Sequence, residues 1–321
     1  LKDAGGKLEV SRYPFKEKAD ELMSRRMGTI KENTFAGLVR RYTRMERDFI
    51  QLYSDKNVST LAPSKFTSED IREFILYRKG KNVSASDLGH DISALKDLCE
   101  FCDNTCVSKC LAQNPGLKPR KKSERLDPLP YQNYLKILEK SEKIPREDFR
   151  RLRTYTMILM YICTGARNKE LRLAKASDLD TVKWEIYYEH VKGEDSYGHP
   201  RTVPVPDVIR PLVKDYLLAR EFWLLKNKTC SDALFFAFKD GHGFMSGNSV
   251  RKAKKLVEQD LGIKFEIRDC RRAFGQYYLN NGVAVDSVSV LMGHSSTKTT
   301  EGYYCRLREE DAIKAVKNRW Q

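Results

Sequence analysis

The sequence predicts a mainly helical chain in two domains, with one small β-hairpin set into the second. Three observations carry this. Apolar residues recur at helical spacing from Asn33 and again from Tyr131, whereas residues 184–206 alternate with a period of two. Between the helical stretches, Asn114 to Lys122 and Asp127-Pro128-Leu129-Pro130 form the clearest linker, because prolines around a basic run favour an extended path. A length of 321 residues suffices for two separate cores.

The formal net charge of +15 calls for an acidic partner, and nucleic acid leads among them, although a basic chain can also be merely soluble. No apolar run approaches the roughly 20 residues that span a bilayer, and no signal peptide is visible, so the expected location is cytoplasmic. The chain begins at Leu1 rather than Met, which limits any reading of targeting. Eight cysteines without a secretory signal point to a reducing compartment and free thiols.

In chain order, residues 1–30 read as a loosely held arm with a short helix around Lys16 to Arg26. Residues 31–114 read as a helical domain. Its first helix places Phe35, Leu38, Val39, Tyr42, Met45, Phe49 and Leu52 on one side and Arg40, Arg41, Arg44 and Arg47 on others. A second helix opens at Thr67-Ser68-Glu69-Asp70, where Thr67 or Ser68 can cap. The third starts near Ser84 or Ser86 and continues through Cys99, Cys102, Cys106 and Cys110. On a continuous helix those thiols spread over about 16 Å at ~1.5 Å per residue, too far for one zinc ion, so unless the helix breaks near Asp103-Asn104 they read as small hydrophobes on a buried face. The arginines of this domain suit either a DNA backbone or a solvated basic face.

Residues 115–130 form the basic, proline-rich linker, and residues 131–321 the second domain. Helices are expected at 131–141 and 147–164, the latter ending at Thr164-Gly165. Arg167 then starts a new helix where the dipole disfavours a cation, which suits either a surface arginine or one that shares an anion with the helix end. Trp184, Ile186, Tyr188 and His190 alternate with Glu185, Tyr187 and Glu189, and Arg201 to Pro206 returns. Lys192 sits at the hairpin tip; from its own segment it reads as solvated, or as a general acid if it reaches a bound phosphate. Helices follow at 207–226 and 246–260, around the apolar segment Ala233 to Phe238.

Residues 267–304 concentrate the chemistry. Arg268, Arg271 and Arg272 share a helix face, and Gly293-His294-Ser295-Ser296 with Thr299-Thr300 feeds a short helix that presents Tyr303. Planar guanidinium forks grip phosphate oxygens, and a phenolate can attack phosphorus. In order and spacing, Thr164-Gly165-Ala166-Arg167 with Glu170-Leu171, Val191-Lys192-Gly193 before Arg201-Thr202-Val203-Pro204, Arg268-Asp269-Cys270-Arg271, and Gly293-His294 nine residues before Tyr303 resemble the tyrosine recombinase (phage integrase and Xer-like) family.

The resemblance implies a helical core-binding domain followed by an α+β catalytic domain. It implies that Tyr303 attacks the scissile phosphate to give a 3′-phosphotyrosine link, that Arg167 and Arg271 hold the non-bridging oxygens, that Lys192 protonates the leaving 5′-oxygen, and that His294 hydrogen-bonds the phosphate. No metal or nucleotide cofactor is implied. Arg268 stands where the family most often has histidine; it can donate to phosphate but is a poor proton acceptor, so the acceptor of the Tyr303 proton stays open. Tyr304 adjoins the nucleophile, and only the spacing from His294 favours Tyr303.

The expected partners are double-stranded DNA and further copies of the chain, as a tetramer on two DNA sites, with accessory DNA-bending proteins possible. A last helix over residues 309–320, with Ala312, Ile313, Val316 and Trp320 apolar, docks on a neighbouring subunit or on its own. The resemblance also implies a nucleoid-associated, viral or mobile-element setting. The rivals are a type IB topoisomerase-like enzyme that rejoins the same strand, and a non-catalytic DNA-binding regulator on the same fold.

Overall fold

The computed structural model describes residues 13–119, 127–191, 199–239, 242–294, 296–297, 300–301 and 317. Lys192, Tyr303 and Tyr304 lie outside them, as do the basic run 120–126 and, Lys317 apart, the tail helix expected over 309–320. The chain divides into two compact units, Leu1–Ser123 and Glu124–Gln321. No helix among the described residues is long and apolar enough to cross a membrane.

The first unit is helical: α1 (Pro14–Arg26), α2 (Glu32–Ser54), α3 (Ser68–Gly80), α4 (Ala85–Phe101) and α5 (Cys106–Gln113). Its core stacks Phe49 between Phe66 and Phe74, each 4.6 Å away between ring centroids. The stretch expected to be a loose arm contains α1, whose Phe15, Ala19, Leu22 and Met23 are buried in that same core. Amphipathic spacing in a charged segment was enough to bury one face. Thr67 caps α3 as expected, in a capping box closed by Asp70.

The third helix is not continuous. It stops at Phe101, Asp103 takes a left-handed φ of 57°, and α5 begins at Cys106. Asn104 supplies the reason: its amide donates to the carbonyls of Pro63 and Phe66 at 2.9 Å each, and its oxygen accepts the Cys106 N–H. The cysteine stripe therefore folds over itself. Cys99, Cys106 and Cys110 are buried in the core, and among the described residues no three His, Cys, Asp or Glu side chains are grouped to hold a metal ion.

The arginines of α2 are also less free than their pattern suggests. Arg41 and Arg44 both reach Asp91, which is fully buried and is also held by Arg78. Arg78 in turn binds Asp48. A carboxylate stripped of water in this way is stable only because each lone pair meets a cation.

The second unit is built around α7 (Phe149–Thr164), in which every residue from Leu152 to Thr164 is buried. A helix apolar on all sides needs neighbours on all sides. They are α6 (Tyr131–Glu142), α9 (Arg210–Lys226), α10 (Gly247–Leu261) and α11 (Ile267–Asn280), with α8 (Asn168–Arg172) following α7 directly and α12 (Val285–Met292) packed on α11.

Beside them lies an antiparallel sheet of order β1 (Leu179–Asp180), β2 (Glu185–Tyr188) and β3 (Arg201–Pro204). Ile186 pairs with Val203 and Tyr188 with Arg201, and these side chains face the core. The expected alternation holds from Glu185 to Tyr188 only: Trp184 sits in the preceding turn with φ 57°, and His190 lies beyond the strand. Strand β1 was not anticipated, since two residues carry no periodic signal.

Between α6, the end of α7 and α11 opens an apolar groove of about 1170 Å³, with Tyr131, Tyr134, Cys163, Phe274 and Tyr277 among its lining.

Candidate active site

The site forms where α7, α8, β3, α11 and α12 end or begin near one another. Helix α7 terminates at Gly165 with φ 61°, and a Cβ there would lie 2.6 Å from the Phe274 ring of α11. Only glycine permits both the left-handed turn and that approach. The turn aims the Gly165 carbonyl at Arg271, whose Nη1 donates to it at 2.7 Å.

Arg167 precedes the first residue of α8. Glu170, three residues on, accepts the Arg167 backbone N–H at 2.6 Å and its Nη1 at 2.8 Å. The cation that helix polarity disfavours is thereby offset by a carboxylate on the same turn. Arg201, from β3, reaches the same carboxylate with both Nη atoms, at 2.9 and 2.7 Å, and Arg271 lies 4.0 Å from it. Glu170 is thus a buried anion among three guanidiniums. Burial by itself pushes its carboxyl up, but the Arg201 hydrogen bonds, the charges of Arg201 and Arg271, and the Arg167 N–H outweigh this and hold it down at about 2.

The same arginines close the end of α12. Its last carbonyls have no partner within the helix, and cations are favoured there. Arg201 Nε donates to the Leu291 carbonyl at 2.7 Å, Arg271 Nη2 to that of Met292, and Arg167 Nη2 to that of Gly293 at 3.0 Å. Three successive carbonyls therefore take three guanidiniums. Gly293 then turns left-handed with φ 60° and delivers His294, whose backbone N–H returns to the Ser289 carbonyl at 3.0 Å.

The His294 imidazole faces this cluster and meets the Thr300 hydroxyl through Nδ1 at 2.8 Å. Burial, followed by the charges of Arg271, Arg167 and Arg201, pushes it down to about 4, against a smaller opposing pull from Glu170. The ring is therefore neutral at neutral pH.

Of the residues singled out by sequence, Arg167, Arg271 and His294 are brought together. Arg268 lies exposed one turn before Arg271 on α11. Arg272 does not join them: it is held by Asp269 at 2.6 Å and reaches the Asp127 carbonyl. Glu170 and Arg201 were visible in sequence only as parts of motifs. A glutamate three residues into a helix signals a cap, but nothing local shows that its carboxylate also serves a strand 31 residues away.

A profile of the Phage integrase family matches residues 128–310, more than half of the chain. The chain belongs to the phage integrase family. It is a tyrosine-type site-specific recombinase, an enzyme that cleaves DNA and exchanges strands. The recombinase is 29% identical over 243 residues to tyrosine recombinase XerC of Natranaerobius thermophilus, covering 74% of this chain and 77% of that protein. It is 25% identical over 240 residues to tyrosine recombinase XerA of Pyrococcus furiosus, covering 74% and 76%.

Among solved structures, its fold matches the XerH recombinase bound to a palindromic difH substrate with a TM-score of 0.70 at 16% identity, over 98% of this chain and 99% of that one. The Tn1549 transposon integrase in complex with a circular intermediate DNA gives 0.64 at 17% identity, over 95% and 99%. The mainly helical architecture with a small antiparallel sheet is the one shared with these integrases.

Proposed function

We propose that this recombinase cuts each DNA strand by attack of the Tyr303 phenolate on the scissile phosphate, forming a 3′-phosphotyrosine bond and releasing a 5′-hydroxyl that rejoins a partner strand. The observation that carries this reading is the triad of guanidiniums set between one buried carboxylate and the carbonyls of Leu291, Met292 and Gly293 at the end of α12, with a neutral histidine beside it. Three arginines against one glutamate leave a surplus of two positive charges. A phosphodiester carries one negative charge and its pentacovalent transition state two, so the surplus favours the transition state over the ground state.

In this reading Arg167 and Arg271 bind the non-bridging oxygens, Arg268 adds a further donor from the exposed turn of α11, and His294 donates to the phosphate. Lys192 protonates the 5′-oxygen as it leaves. The bond energy passes from phosphodiester to phosphotyrosine and back, so the exchange consumes no nucleotide and requires no cofactor. The enzyme acts on double-stranded DNA, of the nucleoid or of a mobile element, in the cytoplasm.

Exchange between two duplexes further requires four nucleophiles, hence a tetramer on two sites, with accessory DNA-bending proteins able to set the geometry. The expected helix over 309–320 offers Ala312, Ile313, Val316 and Trp320 on one side, which suits the apolar groove between α6 and α11. Seated in the groove of a neighbouring subunit, that helix links the copies.

The experiment is incubation in EDTA with DNA carrying the flanks of the protein's own gene, scored for denaturant-resistant protein–DNA adducts. Wild type and Tyr304→Phe are expected to form the adduct and Tyr303→Phe to lose it. An adduct that survives Tyr303→Phe and disappears with Tyr304→Phe would assign the nucleophile to Tyr304. Tight binding with no adduct from any variant would favour a non-catalytic regulator, and relaxed circles without recombinant joints a topoisomerase.

A further inference from the structure

We propose that Thr300 is a positioning residue that fixes the tautomer of His294, so that Nε2 carries the imidazole proton and is the donor nitrogen of the ring. Thr300 is fully buried, and its hydroxyl lies 2.8 Å from His294 Nδ1. A buried hydroxyl places its proton on an acceptor. Among the described residues, His294 Nδ1 is the partner this hydroxyl has. Were Nδ1 the protonated nitrogen, the threonine O–H would be left buried without an acceptor. The hydroxyl therefore donates, Nδ1 accepts, and the single proton of the neutral ring resides on Nε2.

The charged groups among the described residues favour this neutral form. Arg167 just ahead of α8, Glu170 on α8, Arg201 on β3 and Arg271 on α11 act on the ring with a net positive charge, which opposes a second proton. The ring's stem is fixed as well, by the left-handed Gly293 and by the His294 N–H on the Ser289 carbonyl. Thr300 is helical and stands three residues before Tyr303 in sequence, so the segment that leads to the nucleophile also sets the donor on the phosphate.

One consequence bears on the proton of Tyr303. With Nε2 already protonated and Nδ1 engaged by Thr300, His294 has no free lone pair to receive that proton. Arg268 cannot receive it either, since guanidinium stays charged. His294 is thereby a donor to the phosphate and not the base.

The inference rests on the part proposed above for His294, and the test separates the two. The full-length protein, labelled with 15N-histidine, is compared with Thr300→Val and Thr300→Ser by long-range 1H–15N correlation, His294 being assigned through His294→Gln. Wild type and Thr300→Ser are expected to show the proton on Nε2, and Thr300→Val a mixture of tautomers. A wild-type spectrum with the proton on Nδ1 overturns the proposal, whether or not the valine variant folds.

With the gene-flank DNA, Thr300→Val is expected to slow single-turnover adduct formation roughly tenfold with DNA affinity unchanged, and serine to restore the rate. Unchanged tautomer and rate in Thr300→Val also overturn the proposal. If instead His294→Ala cleaves as fast as wild type, the role of His294 at the phosphate fails while the tautomer result stands.

Discussion

Glu170 shows how one buried carboxylate can organise a cationic site. Its folded value near 2 lies below its ordinary 4.5, so the stabilisation is complete above pH 4.5 and is lost as pH falls towards 2. The sign follows because the unfolded chain binds the proton first. In magnitude, the shift corresponds to something on the order of 3 kcal/mol at neutral pH. Glu170→Gln is therefore expected to lower the unfolding midpoint of the second unit at pH 7 and to lose that difference progressively between pH 4.5 and 2. Thermal melts across that range check it, and a pH-independent difference would show that Glu170 acts through packing alone. The variant also frees Arg201 to compete for phosphate, so its catalytic loss is expected to exceed its loss in DNA binding.

Single polar side chains decide where elements stop. Asn104 ends α4 and starts α5 by serving two carbonyls and one N–H, none of which belongs to a regular ladder. Asn104→Ala strands all three in a half-buried turn, at a cost of about 2 kcal/mol. Hydrogen exchange of the α4 and α5 amides should report it as faster opening confined to those helices, and unchanged protection there would mean that the cysteine-lined core alone holds the turn. Helix α12 follows the same logic in reverse. Its C-terminus is completed by Arg167 ahead of α8, Arg201 of β3 and Arg271 of α11, so its position depends on the site being assembled.

For the whole molecule, a net charge of +15 is spread over two units, with Arg40 and Arg47 exposed on α2 of the first and Arg268 exposed on α11 of the second. Binding to duplex DNA is expected to be dominated by counterion release. Between about 50 and about 200 mM salt the affinity should fall on the order of a thousandfold, linearly in log–log form, for wild type and Tyr303→Phe alike. Fluorescence anisotropy with a gene-flank duplex measures the slope. A shallow slope would mean that few of the basic residues touch phosphate and that the charge serves solubility.

By itself the sequence determined the helical character of both units, the small sheet, and the order in which Arg167, Arg271 and His294 occur. Those features rest on periodicity, on caps such as Thr67 and on glycines such as Gly165 and Gly293, all of which act within a few residues. It anticipated a short helix over Lys16 to Arg26 but not the burial of that helix's apolar face, and it left the break at Asn104 open, because the partners of that residue lie about forty residues earlier. The tertiary structure decided what the site is made of. Arg201 meets the Leu291 carbonyl across 90 residues, Arg271 that of Gly165 across 106, and Arg167 that of Gly293 across 126. Which carbonyls remain unpaired at a helix end, and which buried hydroxyl faces a histidine nitrogen, follow from how helices pack around α7, and no local pattern encodes that.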